Sequence, residues 1–240
     1  MKLSIIIPTR EEEKVIGHTV RYLKEALGNE TEIIVSDGKS SDKTVDVARA
    51  CADHVVLYTT DTPHNASIGR NDGAQVAQGE FFCFLDADVR IPDPKSFFAR
   101  ALRHFENPHV AGVCGPQRAE PMVETWADRL SFGLLNLGIR FQNNILKRGE
   151  ASGKFMLVRA DSFCSIRGFR EDLVTREDGD FFKRLSRIGK TIYDPSLMVY
   201  HGARRAHKIG WIRLWSSWLS NWLVVALFDR PQAKDWTPVR

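Results

Sequence analysis

The most constraining feature of this sequence is an unbroken apolar run at residues 81 to 85, Phe-Phe-Cys-Phe-Leu. A short run that is apolar at every position is typical of a strand buried on both faces, as at the centre of a parallel sheet. The chain is therefore expected to be an α/β protein, with a mostly parallel central sheet that is flanked by helices.

Two carboxylates, Asp86 and Asp88, follow the run where the strand should leave the core. Side chains two residues apart on an extended backbone point the same way, so both can face one small volume. Mg²⁺ or Mn²⁺ is often held by one or two such carboxylates, with phosphates and water completing the shell. The pair predicts a divalent cation together with a phosphorylated ligand. A lone Asp-x-Asp more often only ends a strand and opens a turn, and the surrounding residues reverse that preference here.

Strands and helices are predicted to alternate along the first 85 residues. The expected strands are 3–7, 32–36, 54–58 and 81–85. The expected helices are one between Thr9 and Gly28, with Ile16, Val20, Leu23 and Leu27 at helical spacing, and two more at 42–52 and 66–78. Thr9 and Glu12 match the Ser/Thr-x-x-Glu capping pattern of a helix start, and Gly28 is a suitable helix stop. The alternation implies βαβ units and a parallel sheet.

The second half of the chain is expected to add further strands at 109–115, 155–158 and 197–200. Asp93 and Pro94 predict a helix start. A long helix over 123–142 carries an apolar stripe, for which a core position is favoured over the lining of an apolar acceptor site. That stripe is Trp126, Leu130, Leu134, Leu137 and Phe141.

Acidic side chains follow several of the predicted strands. Asp37 follows the second strand, the carboxylate pair follows the fourth, and Glu11 and Glu12 lie just beyond the first. The ligand of such a sheet binds beyond the carboxyl ends of the strands, where these carboxylates would repel one another without a cation or hydrogen-bond donors. Arg70, at the start of a predicted helix, could supply positive charge to a diphosphate.

Another acidic group, Glu177-Asp178-Gly179-Asp180, precedes a helix that Gly189 should end. Asp178 can be the N-cap of that helix, which is worth about 1 kcal/mol. It can also be a general base held at the helix start, and the two roles can coexist.

The composition, 43% apolar and 27% charged, is that of an ordinary globular protein and excludes a disordered chain. The four cysteines (Cys51, Cys83, Cys114 and Cys164) form no Cys-x-x-Cys pair, which predicts free thiols in a reducing compartment. The N-terminus begins with a strand-like run and lacks the pattern of a signal peptide. A cytoplasmic location is therefore expected.

Residues 209–240 are expected to be a basic, Trp-rich tail on a domain that spans 1–208. From His201 onward the chain has seven Lys or Arg, two Asp and five of its six Trp: Trp211, Trp215, Trp218, Trp222 and Trp236. The first four Trp share one face of a helix, and its uncharged run is short of the about 20 residues that a membrane span needs. One hypothesis for 211–228 is an amphipathic helix on an anionic membrane surface, at the inner face of the cell membrane. Packing onto the domain or onto a second subunit in a homodimer has equal weight.

Motifs along residues 3 to 210 resemble, in the same order, those of the family 2 glycosyltransferases with the GT-A fold. They are Ile-Ile-Ile-Pro-Thr-Arg-Glu-Glu-Glu at 5–13, Ile-Val-Ser-Asp-Gly-Lys-Ser-Ser-Asp-Lys-Thr at 34–44, Gly-Arg-Asn-Asp-Gly at 69–73, Phe-Leu-Asp-Ala-Asp at 84–88, Arg-Gly-Phe-Arg-Glu at 167–171, Glu-Asp-Gly-Asp-Phe at 177–181, and His201. An ordered series is more specific than any single motif. The resemblance implies transfer of one sugar from a nucleoside-diphosphate donor to an acceptor hydroxyl, with inversion.

The resemblance also implies roles for single residues. Asp178 looks like the base, Asp88 like a ligand of the Mn²⁺ or Mg²⁺ ion, and His201 like a second metal or diphosphate contact. The donor-binding positions are Thr9, Glu11, Asp37, Arg70 and Asp86. Further diphosphate or acceptor contacts are Glu177, Arg204 and Arg205. Displacement at an anomeric carbon needs such a base on the acceptor side and positive charge at the departing diphosphate.

A UDP or GDP sugar is the expected donor, a lipid-linked or membrane-bound molecule is the hypothetical acceptor, and no nucleic-acid partner is expected. Three positions depart from the family pattern. Glu11 stands where Asn is common, Arg167-Gly168-Phe169 replaces Gly-Gly-Phe, and the sequence has no Gln-x-x-Arg-Trp, which argues against processive synthesis.

Three other functions fit the sequence less well. A dinucleotide-dependent oxidoreductase should have Gly-x-Gly-x-x-Gly after the first strand, where Pro8-Thr9-Arg10-Glu11 stands. A sugar nucleotidyltransferase should have a Gly-rich basic phosphate loop at the same place. A non-catalytic nucleotide-binding module would not need Asp88 and Asp178 together.

Overall fold

The computed structural model describes residues 2–228, and its regular elements alternate as the sequence predicts. In that range the strands are β1 (Leu3–Thr9), β2 (Thr31–Asp37), β3 (His54–Leu57), β4 (Phe81–Leu85), β5 (Val110–Cys114), β6 (Gln117–Ala119), β7 (Phe155–Arg159), β8 (Lys190–Tyr193) and β9 (Val199–His201). The helices are α1 (Ile16–Leu27), α2 (Thr44–Arg49), α3 (Ala66–Val76), α4 (Pro94–Arg103), α5 (Trp126–Arg140), α6 (Ala160–Ser165), α7 (Glu177–Leu185), α8 (Arg204–Ile209) and α9 (Trp211–Phe228). The predictions from sequence missed β6, α6, β8 and α8.

A seven-stranded sheet in the order β3-β2-β1-β4-β7-β5-β8 forms the centre of the described chain. Its neighbours run parallel except β7, which is antiparallel to both β4 and β5. A two-stranded sheet pairs β6 with β9. Because β7 runs backwards, the residues that precede it lie beside those that follow β4.

The central strand β4 is buried at every position, as predicted. Phe81, Cys83 and Leu85 pack with α1 and α4 on one face, and Phe82 and Phe84 pack with α3 and α7 on the other. The predicted layered α/β architecture is confirmed.

The predicted capping of the first helix by Thr9 and Glu12 is wrong. Thr9 is the last residue of β1, and α1 begins only at Ile16 without a side-chain cap. Glu12 instead accepts hydrogen bonds from the Arg204 guanidinium, at 3.0 and 3.1 Å. Its carboxylate is therefore used for a contact between distant parts of the chain.

The long helix expected over 123–142 is α5, which starts with a capping box between Thr125 and Asp128. It continues beyond Arg140 as one π-helical segment, Phe141–Leu146. The predicted core position of its apolar stripe is wrong, because the stripe faces outward. We call the six side chains concerned the α5 apolar face; each is between 50 and 78% exposed: Trp126, Leu130, Leu134, Leu137, Phe141 and Ile145.

The tail begins with α9, which packs against α5. The indole N–H of Trp211 donates to Asp128 Oδ1 (2.8 Å), and that of Trp215 donates to Ser131 Oγ (3.1 Å). These two tryptophans thus contact the domain, which was one of the alternatives. The end of the tail, residues 229–240 with Trp236, and the Trp222 side chain lie outside what the structure describes. None of the helices in the described range has both the length and the apolar character needed to cross a bilayer.

Candidate active site

A cavity of about 870 Å³ opens where β1 and β4 end and β7 begins. Most of the predicted site residues line it: Thr9, Arg70, Asp86, Asp88, Glu177, Asp178, His201, Arg204 and Arg205. Asp88, the predicted metal ligand, and Asp178, the predicted base, therefore line the same cavity.

One end of this cavity, the donor end, is crossed by acids and bases in alternation, which we call the charge chain. Its members in spatial order are Glu177, Arg70, Asp86, Lys154, Asp88, Arg204 and Glu12. Each member contacts the next through an ion pair no longer than 3.3 Å. The carboxylates that would repel one another are thus separated by the protein's own cations.

Arg70 holds the middle of one half of the charge chain. Its side chain is 2% exposed, with Nη1 2.9 Å from Glu177 Oε1 and Nη2 3.3 Å from Asp86 Oδ1. A Cβ atom on Gly153 would lie 2.6 Å from Nη2, so a glycine at this position lets the guanidinium approach the backbone. A charge buried in this way is tolerated because two carboxyl groups lie close enough to pair with it.

Lys154 is the member that the sequence did not suggest. The antiparallel register pairs Leu85 with Phe155, which places Lys154 beside Asp86. Its Nζ lies 2.8 Å from Asp86 Oδ2 and 3.2 Å from Asp88 Oδ1. Burial would lower the pKa of Lys154, but the two carboxylates raise it above its ordinary value. Burial would likewise raise the pKa of Asp88, but Lys154 and Arg204 hold it well below its usual range.

The divalent cation that the resemblance implies at Asp88 and His201 does not fit this arrangement. Among residues 2–228 no three His, Cys, Asp or Glu side chains are grouped as metal ligands. The Lys154 ammonium fills the space between the two carboxylates, and Asp88 Oδ2 is 3.2 Å from Arg204 Nη2. His201 Nδ1 accepts a hydrogen bond from the Ala203 N–H (3.1 Å). Burial lowers the pKa of His201 to about 3, so the ring is neutral. Because Nδ1 accepts the hydrogen bond from Ala203, the proton of the neutral ring is on Nε2.

Glu177 and Asp178 occupy the first turn of α7, whose N-cap is Arg176 in a left-handed conformation (φ 63°). Asp178 is therefore not the N-cap; its Oδ1 accepts from the N–H of Gly179 at 2.8 Å. Burial, reinforced by the neighbouring Asp178, raises the pKa of Glu177 to about 7. The favourable end of the helix dipole supports carboxylates at this position.

Glu11 and Asp37 do not line the cavity, although both were predicted to bind the donor. Asp37 is 2% exposed and accepts hydrogen bonds from the hydroxyls of Thr9 (3.1 Å) and Ser40 (2.6 Å). Glu11 Oε1 accepts from the N–H of Ser41 (2.6 Å) and from its hydroxyl (3.0 Å). In the structure both carboxylates join the loops after β1 and β2.

Four further ionisable residues of the lining were not predicted: Arg10, His64, Glu150 and Arg176. Burial lowers the pKa of His64 to about 4, so this ring is neutral. Arg176 Nη2 lies 3.1 Å from Glu150 Oε2. For ion pairs of this kind, the signal in the sequence was limited to the basic residues that lie close to Glu177 and His201.

The opposite end of the cavity, the apolar end, lies between α5 and α9. Its lining is aliphatic and aromatic: Phe132, Leu134, Leu135, Ile139, Trp211, Leu214, Trp215, Trp218 and Leu219. The ring of Phe132 packs edge-on against those of His201 and Trp211, with centroids 5.0 Å apart in both cases. A single cavity thus leads from charged groups to an apolar wall.

Comparison with known sequences decides the family. The profile of glycosyl transferase family 2 matches residues 4–174. The chain belongs to this family. It is 23% identical over 216 residues to the Campylobacter jejuni GalNAc(5)-diNAcBac-PP-undecaprenol beta-1,3-glucosyltransferase, covering 87% of this chain and 65% of that protein. The chain thus spans slightly less than two thirds of the length of this relative.

Solved structures confirm the predicted GT-A glycosyltransferase fold. The mannosyltransferase PcManGT from Pyrobaculum calidifontis, in complex with GDP-Man and Mn²⁺, is similar with a TM-score of 0.71 at 19% identity, over 93% of this chain and 62% of that chain. S. aureus TarS 1-349 in complex with UDP-GlcNAc gives a TM-score of 0.63 at 19% identity, over 83% and 58%. Family 2 members of this fold are glycosyltransferases, and both of these neighbours hold nucleotide sugars.

Proposed function

We propose that this glycosyltransferase moves one sugar from a nucleoside-diphosphate sugar to an acceptor hydroxyl, with inversion at the anomeric carbon. The observation that carries the proposal is the shared cavity, which is lined both by cations of the charge chain and by the carboxylate of Asp178. An inverting displacement needs these two chemistries on opposite sides of the sugar.

In the proposed reaction the acceptor oxygen attacks the anomeric carbon while Asp178 takes its proton. The bond between that carbon and the phosphate oxygen breaks, and the nucleoside diphosphate leaves with the bonding electrons. Arg204 and Lys154, which pair with Asp88, line the cavity together with Arg205, and the three would neutralise the diphosphate. Arg70 pairs with both Glu177 and Asp86 and would thereby hold the acidic start of α7 in position beside the donor.

The donor is proposed to be a UDP or GDP sugar, because solved neighbours hold UDP-GlcNAc and GDP-Man. Thr9 and Asp86 line the cavity and would contact that donor, as the resemblance implies. The Mn²⁺ or Mg²⁺ ion belongs to the same expectation and is present with the Pyrobaculum neighbour. Since the Asp88 and His201 arrangement does not fit such an ion here, no step of this proposal depends on one.

A lipid-linked acceptor is proposed from the apolar end of the cavity. The Campylobacter relative is named for an acceptor on PP-undecaprenol, a lipid. A sugar or phosphate head could reach Asp178 while an apolar chain lies between α5 and α9. The cavity then accounts for both parts of such a molecule.

Peripheral binding to an anionic membrane is proposed as the setting of the reaction. The α5 apolar face is exposed beside the apolar end of the cavity, and Ile212 of α9 is 89% exposed. Each exposed charged residue between 122 and 148 is basic: Arg129, Arg140, Lys147 and Arg148. Apolar and basic groups on one surface suit anionic lipid, so α5 joins 211–228 as the proposed contact at the inner leaflet.

The proposed function is tested by supplying UDP- and GDP-sugars together with a lipid extract and measuring release of the nucleoside diphosphate. We expect release that depends on the extract and transfers labelled sugar to the lipid phase. Transfer to water alone, or to no fraction of the extract with any donor, would contradict the proposal. Thermal shift with UDP and GDP identifies the base beforehand, because a ligand of the native state raises stability.

A further inference from the structure

We propose that the Lys154 ammonium, and not a divalent cation, supplies the positive charge between Asp86 and Asp88 that binds the donor diphosphate. This inference rests on the proposed function and concerns the same cavity. It is carried by the disagreement between the metal site that the family resemblance implies and the side chains that occupy its place.

The position of Lys154 is fixed by the backbone. The pairing of β4 with β7 runs from Phe81 with Arg159 to Leu85 with Phe155. The next position of this antiparallel ladder brings Lys154 against Asp86, and neighbouring strands lie only about 5 Å apart. The side chain therefore starts beside the carboxylate pair, and its 22% exposure leaves it little room to turn away.

The ammonium has one donor available for a ligand. Lys has three N–H donors, and those of Lys154 reach Asp86 Oδ2 at 2.8 Å and Asp88 Oδ1 at 3.2 Å. Among residues 2–228 the third has no further partner, and Lys154 lines the cavity. A phosphate oxygen in the cavity would complete the set, as it completes the shell of a metal ion.

A divalent cation and Lys154 would compete for the same oxygens. Mg²⁺ binds carboxylate oxygen at about 2.1 Å, so an ion bound to the oxygens that Lys154 contacts would lie at most about 5 Å from Nζ. Two positive charges at that distance repel strongly in a partly buried site. Occupancy by the ion would thus require the lysine to leave both carboxylates.

The charge of the cavity lining supports the same assignment. Six Arg or Lys side chains (Arg10, Arg70, Lys154, Arg176, Arg204, Arg205) face six carboxylates (Glu12, Asp86, Asp88, Glu150, Glu177, Asp178). The lining is therefore balanced without a metal, and it would become acidic without Lys154. The Nε2–H of His201, which is buried without a partner among the described residues, is a further neutral donor for a phosphate oxygen.

The test is calorimetric titration of metal-free protein with GDP and with UDP, in excess EDTA and in excess Mn²⁺. The proteins are the wild type, Lys154→Met, Lys154→Arg and the control Lys24→Met. Lys24 lies on α1, outside the cavity lining, and its ammonium pairs with Asp53 at 2.6 Å. We expect the wild type and the control to bind equally well in both buffers, within about threefold. Lys154→Met should bind about 10- to 100-fold more weakly in EDTA, since a charged hydrogen bond is lost, and should recover in Mn²⁺ because the carboxylates are then open to the ion.

Electron paramagnetic resonance of Mn²⁺ without nucleotide gives a second readout. Free Mn²⁺ should persist with the wild type and be depleted by Lys154→Met. Should this variant fail to fold, Lys154→Arg decides the matter, because it keeps the charge and should still bind in EDTA. Wild-type binding that requires Mn²⁺ would overturn the inference and leave the proposed function standing. Absence of nucleoside diphosphate binding in both buffers would overturn both.

Discussion

The donor end and the apolar end of the cavity are held in place by different physics. At the donor end, seven acidic and basic side chains form a series of ion pairs of 3.3 Å or less, and the register of β4 with β7 fixes the position of Lys154 among them. At the apolar end, α5 and α9 meet through two indole hydrogen bonds and aromatic packing. Part of the adjoining apolar surface is left in solvent.

The difference indicates what each end can tolerate. Removing one member of the charge chain leaves its partner buried and unpaired, so few substitutions are acceptable there. The apolar end has no such coupling, and its shape can change with the ligand. The coupled charged wall suits a defined leaving group, and the adaptable apolar wall suits a long, less regular acceptor chain.

The largest expected effect comes from Asp178, the proposed general base in the shared cavity. Asp178→Asn should lower transfer by about 10²- to 10⁴-fold, the usual contribution of a general base, while nucleoside diphosphate affinity stays unchanged. The matched control is Asp180→Asn, in the same turn of α7 but paired with Arg184 (2.7 Å) and outside the cavity lining. Equal loss in both variants, measured as initial transfer rates, would remove Asp178 from the mechanism.

The stability of the donor end is tested through Arg70. Arg70→Met leaves Glu177 and Asp86 without their buried partner and should lower the free energy of unfolding by about 3–5 kcal/mol, measured by urea denaturation. The control Arg90→Met breaks a pair with Glu120 whose side chains are 40% and 30% exposed, and it should change stability by at most about 1 kcal/mol. Similar losses would show that the charge chain is no more coupled than the surface.

The apolar surface is tested with vesicles. Leu130→Glu with Leu137→Glu, both on the α5 apolar face but outside the cavity lining, should reduce binding to anionic vesicles by about 10- to 100-fold, because immersed leucines are replaced by like charge. Leu57→Glu with Ile188→Glu makes the same change on exposed positions elsewhere. Co-sedimentation should separate the two pairs; if both sediment like the wild type, the face does not bind lipid.

The smallest effect is a pH dependence at the donor end. The pKa of Glu177 rises from its ordinary value near 4.5 to about 7 on folding, so the folded state holds the proton more tightly. This stabilisation is fully present below the unfolded value and is lost as the pH rises through about 7, with a slope below about 1.4 kcal/mol per pH unit. With the same ionic strength for both proteins, Glu177→Gln should remove this slope from the free energy of unfolding measured between pH 5 and 7. An unchanged slope would assign it to another group.

The donor end could largely be predicted from local patterns. An apolar strand followed by Asp86 and Asp88, and a helix start with Glu177 and Asp178, are each visible in a few residues, and the sheet brings them together. Glu11 and Asp37 could not be judged, because whether their carboxylates face a ligand or the loop at 40–41 depends on the loop geometry.

Lys154 could not be predicted because its role comes from strand pairing. Nothing around it is unusual in the sequence, and only the antiparallel register of β7 brings it to the carboxylates. The predicted core position of the apolar stripe on α5 was wrong for a related reason. Periodicity identifies residues that share a face, but it does not tell whether another element covers that face.

The reversed direction of β7 has a consequence for exchanging segments between such enzymes. Because successive side chains of a strand point to opposite faces, inserting or deleting one residue within β7 would turn Lys154 away from the carboxylates. The loop before it, which passes through Gly149 and Gly153, would have to be transplanted together with β7, so that the alternation of side chains along the strand is kept. A graft that respects sequence similarity but shifts this alternation by one residue would keep the fold and lose the Lys154 cation from the site.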